Sequence, residues 1–246
     1  MSRRVLPAFF NMPIIISNCS KAYRKRPVLN QLSLQLDQGE IFSLIGVNGA
    51  GKTTLIKCLL DFHTADLGEI SLFGVVSALT SSRNELAYLP ERFLPPYYLN
   101  GQQFLNYIFA LHKSEVDDDL IGAMLDAMDL SAEILKKPVR DFSKGMAQKL
   151  GLTALLLLDK KLLILDEPMS GLDPKARALV KKQLRLAKEK GKTVFFSSHL
   201  LADVEELSDR VGILHEGTIA FCGSPEECKQ KYHSKNLEDA FLKCIG

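Results

Sequence analysis

Tryptophan is absent from this 246-residue sequence, and neither sign of charge is in excess: 31 lysines and arginines face 29 aspartates and glutamates, a formal net charge of +2. The even balance argues against a dedicated nucleic-acid binder, which carries a clear basic excess on one face. The one basic run, Arg24-Lys25-Arg26, reads as a solvated loop. Cysteine is scarce too. Cys19, Cys58, Cys222, Cys228 and Cys244 form no C-x-x-C pair and no zinc spacing. An odd, scattered set of this kind fits free thiols in a reducing cytosol. No stretch approaches ~18 uninterrupted apolar residues, so no segment is expected to span a membrane. The opening "MSRRVLPAFFNMPIIIS" sets two arginines before apolar residues, but Pro7, Asn11 and Pro13 interrupt the run and no small-residue cleavage site follows. Residues 1–13 are therefore expected to be a flexible lead, with translation starting at Met1 or Met12.

What remains is an ordinary globular composition, 46% apolar and 24% charged, long enough for one large or two modest domains. The first third reads as strands. A first strand is expected at Ile14–Ser17, and "VLNQLSLQL" puts Leu32, Leu34 and Leu36 on one face before the turn Asp37-Gln38-Gly39. A helix is expected from about Lys52 to Leu60, then strands in "DLGEISLFG" and "ELAYLP". From about Arg92 to Leu158 strand signals nearly vanish and helical spacing takes over, in "GQQFLNYIFALH" and "DDDLIGAMLDAMDL". Residues 92–158 thus read as a helical subdomain inserted into an α/β core. Alternation then returns: the buried strand "KLLILDE", a helix at about Pro174–Lys190, and the strand "TVFFSS". Strands near Arg210–His215 and Thr218–Cys222 and helices at Pro225–Tyr232 and Leu237–Cys244 close the chain.

The strongest chemical signal is "GVNGAGKTT", Gly46 to Thr54, which satisfies G-x-x-x-x-G-K-[ST] between a strand and a helix. Glycines let the backbone curl so that N–H groups of Asn48, Gly49, Ala50, Gly51, Lys52, Thr53 and Thr54 can face phosphates, and Lys52 adds a charge near the β and γ phosphates. The Thr53 hydroxyl is expected to ligate Mg²⁺. "LLILDEP" ends a buried strand on Asp166, at the ligand side of a parallel sheet. Asp166 is expected to hold Mg²⁺, and Glu167, pointing elsewhere, to orient the attacking water; the alternative is an acid pair that caps the next segment. "TVFFSSH" delivers His199 to the same edge, as a sensor of the γ-phosphate or as a structural histidine.

These residues resemble one family, the ATP-binding cassette (ABC) ATPases that drive ABC transporters, over Ile14 to Tyr232. Gly46–Thr53 looks like the Walker A loop, Leu162–Asp166 with Glu167 like Walker B and its catalytic glutamate, Ser170–Asp173 ("SGLD") like the D-loop, and His199 like the switch histidine. Tyr23 stands where an aromatic stacks on adenine, or is a surface tyrosine beside basic residues. "FSKGMAQ" is similar to the LSGGQ-type signature, with Ser143, Gly145 and Gln148 in register and Lys144 and Met146 as departures.

The resemblance implies a P-loop NTPase of the ABC type: a RecA-like core with an antiparallel β subdomain and the inserted helical subdomain, spanning 14–232, then a C-terminal helix at 233–246. It implies ATP as substrate with Mg²⁺, hydrolysed with Glu167 and His199 as catalytic residues. Two chains, alike or different, would pack head to tail, so that Ser143, Lys144, Gly145, Met146 and Asp173 of each face the ATP of the other. An integral membrane permease would be the partner, and the chain would sit on the cytoplasmic face of the cell membrane. No nucleic acid is expected as a partner. One departure is Glu91 in "AYLPERF", where the family's Q-loop usually has glutamine. A carboxylate there can reach Mg²⁺ but adds negative charge beside the γ-phosphate. This acid, the "GM" signature and the tail "NLEDAFLKCIG" look most like the ABC-2 exporter branch. The rival reading is a soluble ABC-type ATPase acting on nucleic acid or ribosomes. Lys52 and Asp166 stand only 114 positions apart with no heptad run between them, which disfavours the coiled-coil DNA-repair members.

Overall fold

The protein is described by a computed structural model over residues 12–246; apart from Met12 and Pro13, the expected N-terminal lead lies outside the described residues. In chain order the elements are β1 (Ile14–Tyr23), β2 (Arg26–Leu36), β3 (Ile41–Ile45), α1 (Lys52–Leu59), β4 (Leu67–Leu72), β5 (Val75–Val76) and β6 (Leu86–Leu89). The middle holds α2 (Gly101–Leu111), α3 (Asp118–Ala127) and α4 (Lys144–Leu157). Then come β7 (Leu162–Asp166), α5 (Pro174–Glu189), β8 (Thr193–Ser198), α6 (Leu201–Leu207), β9 (Arg210–His215), β10 (Thr218–Gly223), α7 (Pro225–Lys231) and α8 (Leu237–Ile245).

Two sheets result. One has four strands in the order β2-β1-β4-β5, all antiparallel. The other has six in the order β10-β9-β3-β8-β7-β6, parallel except for the edge strand β10. The apolar runs of β3, β7 and β8 feed a core on each face, as a parallel sheet covered on both sides requires. Phe42, Leu44, Leu162, Ile164 and Phe195 pack with α1 against the antiparallel sheet, and the Phe42 and Phe195 rings stack at 5.8 Å. Ile41, Ile45, Leu163, Leu165, Val194 and Phe196 face the opposite core, which the inserted helices and α5 to α8 cover. Both faces of each strand are thus fixed by the period-2 alternation, so a one-residue slip would exchange two dissimilar cores.

The helices start where capping chemistry allows. Asn100 and Gln103 form a reciprocal capping box on α2, and Asp117 of the triple aspartate accepts the Asp119 N–H at the start of α3. Asp173 caps α5, with Pro174 at its first position. Helix α6 escapes sequence reading: it has seven residues and no side-chain cap at Leu200, so neither periodicity nor a start signal marks it. It is held from outside instead, because the buried Asp203 carboxylate accepts from Arg177 at 2.8 Å and Lys181 at 3.0 Å on α5. All five cysteines are free. Among the described residues, no helix is long and apolar enough to cross a membrane.

Candidate functional site

The parallel strands β3, β7 and β8 end at one edge, and the loops that leave them build the site. The loop after β3 turns at Val47–Ala50 and enters α1 through Gly51, whose φ of 112° suits glycine. No side chain caps α1, so the first N–H groups of this helix are left for another acceptor. Gly46 is held tight: a Cβ there would stand 2.5 Å from the Leu214 carbonyl oxygen of β9. Lys52 is buried and folds back on its own loop, its Nζ donating to the Gly46 carbonyl at 2.6 Å and reaching Val47 O at 3.4 Å. Burial pulls the Lys52 ammonium below the ordinary lysine value, while Glu167, Asp166 and Glu91 push it back up.

Asp166 and Glu167 close β7 and are both buried. The Asp166 Oδ2 faces the Thr53 hydroxyl at 3.4 Å, and its Oδ1 accepts the Ser197 hydroxyl at 2.5 Å. Burial raises the Asp166 carboxyl above its usual range, and the Ser197 hydrogen bond is the first of the effects that oppose it. Glu167 departs from strand geometry at once, at φ 51°. A non-glycine residue in the left-handed region is strained, and such strain gathers at functional sites. The turn sends Glu167 Oε2 to within 2.7 Å of His199 Nδ1. A carboxylate can only accept, so Nδ1 carries the proton and Nε2 is the nitrogen left to face a ligand.

Lys52, Thr53, Asp166, Glu167 and His199 therefore come together, drawn from three strand ends. Glu91 is exposed on the loop after β6, yet its charge bears on both Lys52 and Asp166. Tyr23 ends β1 with its ring edge-on to His63 at 5.7 Å. Its hairpin abuts the phosphate loop, since a Cβ on Gly51 would meet the Val28 carbonyl at 3.0 Å.

The loop before α4 is a separate piece of the surface. Ser143 and Lys144 are exposed, and the Ser143 hydroxyl accepts the Met146 N–H at 3.2 Å. The Lys144 side chain lies over Gly171, and Leu172 lies against Gly145, so this loop and Ser170–Asp173 pack on each other within one chain. Asp173 itself accepts the Ala176 N–H at 2.9 Å. The buried Gln148 ties the two regions of chemistry together, donating to the Pro168 carbonyl next to Glu167 at 3.1 Å. Beyond Glu91 the chain shows Leu94, Tyr97 and Tyr98 to solvent at 86%, 72% and 73% exposure, while Phe93 packs into the core beside Gly151 of α4.

Sequence reading missed Ser197. Its hydroxyl also accepts the Glu167 N–H at 2.9 Å, a contact set by the register that puts Asp166 opposite Ser197. The only available signal was the polar end of an otherwise apolar strand.

The donor set suits a hard cation that keeps much of its own coordination. One buried carboxylate and one hydroxyl converge, and among the described residues no three His, Cys, Asp or Glu side chains gather into a metal-binding group. Mg²⁺, which retains waters and takes further oxygens from substrate phosphates, fits such a sparse pair.

Residues 29–170 match the family model described as ABC transporter. The chain is 41% identical over 219 residues to an uncharacterized ABC transporter ATP-binding protein of Synechocystis, covering 85% of this chain and 62% of that protein's length. It is 35% identical to the lantibiotic transport ATP-binding protein SrtF of Streptococcus pyogenes, over 92% of this chain and 94% of that one. Among solved structures, the ATP-binding subunit of an ABC transporter superposes with a TM-score of 0.85 at 28% identity, over 94% of this chain and 98% of that one.

Proposed function

This chain belongs to the ABC transporter family, whose ATP-binding proteins are ATPases coupled to transport, and from that premise we propose that it works as the paired motor of an exporter, closing around two ATP molecules to drive a separate membrane permease. The observation that carries the reading is the split arrangement. Lys52, Thr53, Asp166, Glu167 and His199 meet at one sheet edge, while the loop before α4 and the Ser170–Asp173 turn form a second, exposed surface in the same chain. Residues 92–158 serve as the helical subdomain, and 233–246, with α8, as the closing helix.

ATP binds with its base against Tyr23 and its phosphates on the backbone of Asn48 to Thr54, where uncapped N–H groups and the helix dipole favour an anion. Lys52 exchanges its loop carbonyls for phosphate oxygens. Thr53 and Asp166, with Glu91 beside them, would hold Mg²⁺, and the ion would supply neutralisation of the charge that builds on the phosphates. Ser143, Lys144, Gly145 and Met146 of a second chain, with its Asp173, cover the γ-phosphate. Glu167 orients water for attack, and His199 donates from Nδ1 to Glu167 and, when Nε2 carries a proton as well, from Nε2 to a γ-phosphate oxygen. Most of the catalysis is positioning. Loss of the anionic bridge after hydrolysis lets the halves part, and the permease on the cytoplasmic face of the membrane follows that motion.

The test is phosphate release by the purified chain with Mg·ATP across a range of chain concentrations. Because each site takes residues from two chains, the rate per chain should climb with concentration and then saturate. A rate per chain that stays constant as the protein is diluted through the monomeric range would sink the shared site. The exposed Leu94, Tyr97 and Tyr98 surface is the proposed permease contact. Replacing Tyr97 and Tyr98 together with serine should cut transport by the assembled complex by about tenfold or more, as loss of aromatic anchors does, while ATP affinity stays within about twofold. Unchanged transport would move the contact elsewhere.

A further inference from the structure

Ser197 is fully buried at the end of β8, and its hydroxyl stands between two groups of the site. The direction of both hydrogen bonds is fixed by chemistry. A backbone N–H can only donate and a carboxylate can only accept, so the hydroxyl takes the Glu167 N–H at 2.9 Å on its lone pair and gives its proton to Asp166 Oδ1 at 2.5 Å. With Oδ1 occupied, Oδ2 is the oxygen turned to Thr53. The Glu167 peptide meanwhile is held on both sides, by Ser197 at its N–H and by the Ser170 N–H at its carbonyl, 3.1 Å away. Between those two bonds lies the left-handed φ of 51° that aims the Glu167 carboxylate at His199.

We propose that Ser197 is a positioning residue for the ATPase reaction: one hydroxyl sets the Asp166 carboxylate and, at the same time, locks the strained Glu167 turn that presents the water-orienting carboxylate. The inference rests on the reading of Glu167 given above. Neither partner can be satisfied by an apolar side chain in this buried place, and an unpaired N–H there would let the turn relax toward ordinary strand geometry. Water then loses its orienting group while the phosphate loop, built from β3 and α1, is untouched. The signature of positioning is therefore a loss in turnover with little loss in binding.

Ser197→Ala should lower kcat by about 10–100-fold, the usual cost of removing a second-layer partner, while KM and the affinity for a fluorescent ATP analogue stay within about threefold. In the nucleotide-free protein, the ring-nitrogen NMR signals of His199, assigned by their loss in His199→Gln, should shift as the Nδ1 bond to Glu167 loosens. Ser197→Thr, which keeps the hydroxyl on a residue that strands accept, should restore both kcat and the His199 signals. The proposal is overturned if Ser197→Ala keeps kcat within about twofold of the parent, if ATP affinity falls in parallel with kcat, or if the His199 signals do not move. Failure of the underlying reading looks different: Glu167→Gln would then hydrolyse ATP at the parent rate, whatever Ser197→Ala does.

Discussion

Glu167→Gln should reduce ATP hydrolysis by about 10²–10⁴-fold, the range for a lost general base, while two chains associate in Mg·ATP and do not separate. The substitution keeps the volume of a buried side chain and an oxygen that can still accept from His199 Nδ1, 2.7 Å away in the parent. What it removes is the negative charge and basicity that orient and activate water. Glu167 shares the site edge but is no part of the phosphate loop itself, which is built from the chain between β3 and α1, so ATP should still bind and draw in the signature loop of a second chain. The measurement is solution mass with and without Mg·ATP, beside phosphate release. A monomer-to-dimer shift that needs ATP shows that this chain pairs with itself. A persistent monomer that binds ATP assigns the second surface to a different chain, and parent-level hydrolysis removes Glu167 from the mechanism.

Motifs that are continuous in sequence were legible because their chemistry is local. The phosphate loop needs glycines at fixed offsets between a strand and a helix, and the backbone of Gly46–Thr54 supplies them wherever the rest of the chain goes. Asp166 and His199 were readable because a buried apolar strand that turns polar at its carboxyl end marks the ligand side of a parallel sheet. The sheet order was not readable: β3 lies between β8 and β9, partners that stand over 150 positions away, and nothing in β3 itself names them. The Glu167 turn was hidden for a related reason. Its left-handed φ is maintained by Ser197 across the sheet, so the cause lies 30 residues from the effect. Arg24 and Lys25 show the same limit, since both take positive φ in the tight β1–β2 turn without the Asn-Gly that usually announces it. The packing of Lys144 over Gly171 depends on two loops meeting and likewise leaves no local trace.

Lys52→Ala should weaken ATP binding by about 10–150-fold, because a charge-assisted hydrogen bond is worth about 1.5–3 kcal/mol and each 1.4 kcal/mol is tenfold. Two effects add. The phosphate oxygens lose a donor that already stands at the loop, 2.6 Å from the Gly46 carbonyl. The site also loses the cation that Glu167, Asp166 and Glu91 act upon, which leaves their combined negative charge facing a triphosphate. The second effect predicts a pattern that loss of a single donor does not. The penalty should be larger for ATP than for ADP, and Lys52→Ala with Glu91→Gln should recover part of the ATP affinity by removing one of the opposing charges. Fluorescent-nucleotide titrations of the single and double variants at fixed ionic strength measure this directly. Strict additivity of the two substitutions would mean that Glu91 does not act on the phosphates through this site, and would leave it as a hinge residue between β6 and the inserted helices. Because binding precedes association, Lys52→Ala added to Glu167→Gln should abolish the ATP-driven dimer at nucleotide concentrations that saturate Glu167→Gln alone. A dimer that survives would show that the chains pair through contacts other than shared nucleotide.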